Sequence, residues 1–238
     1  MGNILITNDD GILSDGLIRL AKAAKEFGEV WVVAPDGQRS AASHSITLHT
    51  TLDVIPYDFP VEGVHAFSCS GTPADCVRVG SQNVMPEPPF AVLSGINYGY
   101  NVGMDIEYSA TAGAAFEASV QGFLPIAVSE EGVPCHEVSD ACLRDILKKF
   151  LSTPPREDHI WNVNFPGCPV SEWKGILENR TISRSLVYND KYVETEKLPG
   201  GGTRYQVVGI YSKESEPGSD FRAVSEGYVS VSEVENIR

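Results

Sequence analysis

Basic residues are scarce in this chain. Its 238 residues include 18 Lys and Arg against 32 Asp and Glu, a formal charge of −14 at pH 7. Polyanionic nucleic acid and anionic membrane surfaces are repelled at that charge, so neither is expected as a partner. Cysteine is sparse and unfavourably spaced: Cys69, Cys76, Cys135, Cys142 and Cys168 contain no Cys-x-x-Cys. That argues against a zinc site or a dithiol redox motif, and the odd count suits reduced thiols in a cytoplasmic protein. No apolar run approaches the ~18 residues of a membrane span. Nor does a basic segment precede an apolar one at the N-terminus, so neither membrane insertion nor secretion is expected. Two phosphate-loop fingerprints are missing as well. The first strand is not followed by Gly-x-Gly-x-x-Gly and there is no Walker loop, which excludes nicotinamide dehydrogenase and nucleotide-triphosphate motor chemistry.

What is present is ordinary globular material, 42% hydrophobic and 21% charged, enough to fill a sizeable core. The first 150 residues alternate strand and helix. Asn3–Thr7, Val30–Ala34, Phe90–Leu93 and Ile126–Ser129 read as short buried strands. Between them, Leu17, Ala21, Ala24 and Phe27 recur at helical spacing, with Ser14 or Asp15 as cap and Gly28 as stop. Thr72-Pro73 opens a further helix, Ala110–Gln121 is an Ala-rich one, and Leu143, Ile146, Leu147 and Phe150 mark another. This alternation predicts an α/β fold: a doubly wound, Rossmann-like, mostly parallel sheet with helices on both faces. From about Trp161 the texture changes. His159–Val163, Gly175–Ile182, Leu186–Glu194 and Arg204–Tyr211 read as strands without helices between them, and Pro199-Gly200-Gly201-Gly202 reads as a hairpin tip. The expected organisation is one domain: an α/β metal- and phosphate-binding core over 1–160, then a C-terminal antiparallel β extension over 161–238 whose strands complete the core. Its hairpin arm, about 185–215, would reach a neighbouring subunit.

The chemistry concentrates where the first strand ends. Asn8-Asp9-Asp10-Gly11 places two adjacent carboxylates at the carboxyl edge of the sheet, where α/β proteins bind ligands. Adjacent carboxylates repel unless a cation or proton lies between them, so the pair reads as a divalent metal site; a solvated acidic turn is the alternative. Three other polar segments follow strands and so share that edge: Gln38 to His44, Ser94 to Gly103, and Tyr108 to Thr111. Ser40 and Asn97 would add neutral oxygen ligands to Asp9 and Asp10. Such a hard oxygen set suits Mg²⁺, Mn²⁺ or Ca²⁺. The Gly- and Asn-rich stretch from Gly95 to Gly103 suits an anion-binding nest, although Asn97 and Asn101 also tolerate left-handed backbone. Ser109 and Thr111 suit either phosphate capture at a helix N-terminus or simple capping. His44 reads as a polar loop residue or a catalytic acid, Asp75 as a first-turn residue of its helix, and Arg39 as an oxyanion ligand or a solvated cation.

Together these residues resemble the SurE family, the survival-protein-E nucleotidases. The matches run from Thr7-Asn8-Asp9-Asp10-Gly11 through Val33-Ala34-Pro35-Asp36, Arg39-Ser40-Ala41-Ala42 and Ser45-Ile46-Thr47-Leu48. They continue through Gly71-Thr72-Pro73-Ala74-Asp75-Cys76-Val77, Ser94-Gly95-Ile96-Asn97 with Asn101 and Gly103, Tyr108-Ser109, Asp220-Phe221 and Glu226-Gly227-Tyr228-Val229. The resemblance implies a metal-dependent phosphatase, with one divalent ion per subunit, acting on nucleoside 5′- and 3′-monophosphates. It implies metal ligation by Asp9, Asp10, Ser40 and Asn97, phosphate contacts from Asn101, Ser109 and Thr111, and Asn8 beside the metal. It also implies a homodimer or homotetramer. Ala110 departs from the pattern, since the family usually carries Gly after the Ser.

Overall fold

The computed structural model describes residues 2–212 and 214–236. The chain begins with β1 (Asn3–Thr7), α1 (Asp15–Ala24), β2 (Glu29–Pro35), β3 (Val54–Pro56), β4 (His65–Cys69) and α2 (Pro73–Val79). It continues with β5 (Ala91–Tyr98), α3 (Ala110–Val120), β6 (Leu124–Glu130), α4 (Glu137–Phe150) and β7 (His159–Phe165). The last elements are β8 (Ile176–Leu177), β9 (Tyr188–Lys197), β10 (Thr203–Tyr211), α5 (Asp220–Ser225) and β11 (Val229–Glu235). Nine strands form one sheet in the order β3-β4-β2-β1-β5-β6-β7-β11-β8, and β9 and β10 form a separate antiparallel ribbon. From β4 to β7 every neighbouring pair is parallel.

Side chains alternate across the sheet, so each strand feeds two cores. Ile4 and Ile6 join the cluster of Leu17 and Leu20 from α1 and Leu143 and Ile146 from α4. Leu5 joins Val77 of α2 and Ala114 and Ala118 of α3. The same split separates Val30, Val32 and Ala34 from Trp31 and Val33 in β2. Burial on both faces is why these strands read as continuous apolar runs. Local signals set the helix starts. Ser14 caps α1, and α2 opens with a capping box in which Thr72 and Asp75 each accept the other's backbone N–H; Pro73 follows the cap. Ser109 caps α3 by accepting the Ala112 N–H at 3.0 Å.

The chain runs β1 to β2 and β4 on one side, then returns past β1 to β5 on the other. The carboxyl ends of β1 and β5 therefore flank the point where the winding reverses, the crevice where ligands bind in open α/β sheets. No helix among the described residues is long and apolar enough to cross a membrane.

The structure departs from the sequence reading in several places. β3 and β4 occupy a stretch read without strands, and α5 adds a helix to a region expected to have none. The strand expected to stop at Leu93 continues to Tyr98, through a register shift between Ser94 and Asn97. His159–Phe165 is not part of an antiparallel appendage; β7 pairs parallel with β6, and the antiparallel member is β11. The strand expected over 175–182 shrinks to the two residues of β8.

The irregular part of β5 needs glycine. Gly95 has φ of 140°, and a Cβ there would lie 2.1 Å from the Val128 carbonyl oxygen. Gly95→Ala is expected to destabilise the fold by about 3 kcal/mol, combining left-handed strain and this clash; urea unfolding measures it.

Candidate active site

The acidic turn after β1 is held from inside. Asn8 is fully buried, and its side-chain amide donates to the Gly11 carbonyl at 3.1 Å and to Ser14 Oγ at 2.6 Å. This ties the turn to the cap of α1 and leaves Asn8 Oδ1 buried without a hydrogen-bond partner. Three other segments are pinned to the two acidic residues, one through the Asp9 backbone and two through the carboxylates. The Asp9 carbonyl accepts the Arg39 N–H at 2.7 Å, fixing the loop after β2 and carrying Ser40 alongside. Asp9 Oδ1 accepts the Thr111 hydroxyl at 2.5 Å, fixing the first turn of α3. Asp10 Oδ2 accepts the Tyr98 N–H at 3.0 Å, fixing the end of β5 beside Asn97. Asn97 turns its side-chain nitrogen to the Gly99 carbonyl at 2.8 Å, which leaves Oδ1 as the ligand end. Ser40 is exposed, and Asn97 and Asp10 are half-buried.

The electrostatics of the pair are unfavourable as they stand. Burial, with a contribution from Asp10, raises the Asp9 pKa from the usual 3.8 to about 6, against the opposing effect of the Thr111 bond. Burial also raises Asp10, with Glu130 adding to it. The nearby cations are committed elsewhere. Arg39 bonds to Asp36 at 2.7 Å, and Arg19 bonds to Glu130 at 2.8 Å. No cluster of three or more His, Cys, Asp or Glu able to hold a metal occurs among the described residues. Any cation bound here must therefore sit on this one acidic pair plus neutral oxygens, which is the donor chemistry of a hard divalent ion. Paired carboxylates with no basic partner, together with the orphaned Asn8 oxygen, fit such an ion.

The remaining candidates divide. Asn101 is buried in a set of amides and a hydroxyl formed by Ser129, Asn162 and Asn164. Ser109 and the amino end of α3 face the same edge. The Thr111 hydroxyl is committed to Asp9. His44 is drawn to α3, where Nε2 lies 2.8 Å from Glu117 Oε2, and is not brought to the carboxylates. Asp75 serves its own helix and also holds the loop after β2, accepting the Thr47 N–H at 2.9 Å and the Thr47 hydroxyl at 2.7 Å. The docking of that loop on α3 needs Gly113, where a Cβ would lie 2.3 Å from the Ser43 carbonyl oxygen. Sequence reasoning missed Ser129, Asn162 and Asn164; the visible signal was two carboxamides alternating within the apolar run Ile160 to Phe165.

Fold and site together define a doubly wound α/β protein with an acidic, oxygen-rich crevice at the switch point of its sheet. The family model described as "Survival protein SurE" matches residues 4–187, and the chain belongs to that family. A 5′-nucleotidase SurE of Thermosipho melanesiensis is 39% identical over 236 residues, covering 98% of this chain and 91% of the relative. A 5′/3′-nucleotidase SurE of Klebsiella pneumoniae is 41% identical over 229 residues, covering 96% and 88%. The crystal structure of the SurE protein from Aquifex aeolicus superposes with a TM-score of 0.82 at 36% identity, covering 98% of this chain and 93% of that one.

The raised Asp9 pKa has a definite consequence. With its folded pKa at about 6 against 3.8 unfolded, Asp9 costs the cation-free fold stability as pH rises between those values, about 3 kcal/mol in all. Asp9→Asn is expected to raise the melting temperature of cation-free protein at pH 7.5. That gain should fade as pH falls toward 3.8, as followed by calorimetry in chelator.

Proposed function

We propose that this protein is a divalent-metal-dependent phosphomonoesterase that hydrolyses nucleoside 5′- and 3′-monophosphates to nucleoside and phosphate. The observation that carries the reading is the adjacent carboxylate pair, Asp9 buried and Asp10 half-buried, without a basic partner at the switch point beside the amino end of α3. The relatives' names, 5′-nucleotidase and 5′/3′-nucleotidase, support the reaction and substrate class. Asp9, Asp10, Ser40 and Asn97 would hold the ion, one per subunit, with Mg²⁺ or Mn²⁺ favoured over Ca²⁺ by this small, hard oxygen set. When bound, such an ion supplies positive charge to a phosphate oxygen and acidifies water.

The chain's own residues do the rest. Thr111 holds Asp9 by its hydroxyl, and Tyr98 holds Asp10 by its N–H, so the acidic face is presented in one orientation. Asn8 anchors the turn beneath both. The Ser109 hydroxyl, the Asn101 side chain and the N–H groups opening α3, Thr111 included, offer donors to the phosphate oxygens, where charge builds in the transition state. Attack is by water in line with the leaving nucleoside oxygen. An aspartyl-phosphate route through Asp9 or Asp10 is the alternative, distinguished by inversion against retention at a chiral phosphate. Five free thiols support a reducing, cytoplasmic setting.

The ribbon of β9 and β10 suggests a homo-oligomer, dimer or tetramer. Directly opposed residues share a face, which gathers Tyr188, Tyr192, Tyr205, Val207 and Tyr211 on one side, all exposed. A free two-stranded ribbon is marginal in water, and an exposed aromatic face of this kind marks a contact surface.

Phosphate release from AMP and GMP should be abolished by EDTA and restored by Mg²⁺ or Mn²⁺. Ser109→Ala should lower kcat about 100-fold. Steady metal-dependent turnover in molar excess over protein separates an enzyme from a nucleotide-binding module. The double substitution Tyr192→Glu, Val207→Glu should reduce the mass measured by light scattering to that of a smaller species.

A further inference from the structure

β7 lies inside the sheet between β6 and β11, buried along its whole length, yet carries Asn162 and Asn164. Carboxamides in such a place are costly unless bonded. Asn164 spends both ends of its carboxamide on one residue, and Asn162 its nitrogen, leaving Asn162 Oδ1 buried without a hydrogen-bond partner. Asn164 Oδ1 accepts the backbone N–H of Asn101 at 2.9 Å, and Asn164 Nδ2 donates to the Asn101 carbonyl at 3.1 Å. Asn162 Nδ2 donates to the same carbonyl at 2.9 Å. The Asn101 side-chain nitrogen in turn donates to Ser129 Oγ at 2.8 Å. Asn101 is 6% exposed, Asn164 1%, and Asn162 and Ser129 are fully buried. The carboxamide of Asn164 thus grips the backbone of Asn101 as a neighbouring strand would, oxygen to N–H and nitrogen to C=O. The reversed amide would set like against like, so the orientation follows from the chemistry.

Asn101 needs such a grip. It lies in Gly99-Tyr100-Asn101-Val102-Gly103, where both glycines have positive φ and no regular secondary structure is present at Asn101. The far side of this loop is fixed by Asp220, which accepts the Gly103 N–H at 2.9 Å.

We propose that Asn164, with Asn162 and Ser129, is a positioning residue that sets Asn101 against the substrate phosphate. This rests on the reading of Asn101 as a phosphate contact given above. The clamp stands on β6 and β7, whereas the acidic pair is held by the loop after β2, the end of β5 and α3. Ser129 also opposes Asn97 in the β5–β6 register, but as a strand partner through the backbone, so loss of the clamp's side chains leaves that ladder in place and separates phosphate handling from metal binding.

The test uses full-length protein and three readouts: Mn²⁺ affinity by electron paramagnetic resonance, AMP turnover, and competitive inhibition by inorganic phosphate. Asn164→Ala is expected to keep wild-type Mn²⁺ affinity, lose about 100-fold in kcat and bind inorganic phosphate about tenfold more weakly. Ser129→Ala removes only the side-chain tether. It should weaken phosphate inhibition in the same direction with Mn²⁺ affinity intact, and it decides the matter if Asn164→Ala does not fold. Wild-type turnover and phosphate inhibition in these variants overturn the proposal. So does a parallel fall in Mn²⁺ affinity, which is the signature of general loosening. A wild-type protein that binds Mn²⁺ but releases no phosphate from any nucleotide overturns the phosphatase reading itself, and the clamp with it.

Discussion

The rest of the molecule is arranged around an electrostatic liability: two consecutive carboxylates, Asp9 and Asp10, placed where the sheet gives them little water. Burial, with a smaller contribution from its neighbour, raises the Asp9 pKa from 3.8 to about 6 even against the Thr111 hydrogen bond. A protein gains nothing in stability from such a pair. It is tolerable because the surrounding backbone and hydroxyl donors hold both groups in one geometry, and because a doubly charged cation would reverse the sign of the interaction.

The fold creates that geometry by topology. β1 is central, the chain winds from it first to one side through β2 and then to the other through β5, and the loops that follow these parallel strands gather at one edge. Each loop is then fixed by a bond into the acidic turn, through Arg39, Tyr98 or Thr111. The second half of the site is built separately. Asn101 is held from the β6–β7 side by Ser129, Asn162 and Asn164, and the far side of its loop by Asp220. In the proposed reaction the first assembly handles the ion and the second the phosphate, and α3 bonds to the first through Thr111 and opens beside it with Ser109.

Much of this was legible before any coordinates. β1, β2 and β6 declare themselves as apolar runs because parallel strands are buried on both faces, and α1, α3 and α4 follow from helical spacing and caps. The acidic pair stands out because its placement, straight after a buried strand, has a physical cost. What escaped has identifiable causes. β5 was cut short because Gly95 and Asn97 look like loop residues, and the structure uses them to bend a strand without ending it. β7 was read with the antiparallel extension, and its parallel pairing with β6 was missed, because a run of apolar residues carries no information on whether its neighbour is parallel. α5 has six residues, too few for a periodic signal. Asn162 and Asn164 could not be assigned because a sequence does not say which loop a strand face meets. The sequence does not show that the Thr111 hydroxyl turns to Asp9, which leaves only its N–H for the phosphate in the proposed reaction.

Diffraction from crystals soaked in Mn²⁺ tests the central claim most directly. The account predicts an anomalous peak between the Asp9 and Asp10 carboxylates, within reach of Ser40 and Asn97. A well-ordered crystal with no peak there, and both side chains unmoved, would contradict it.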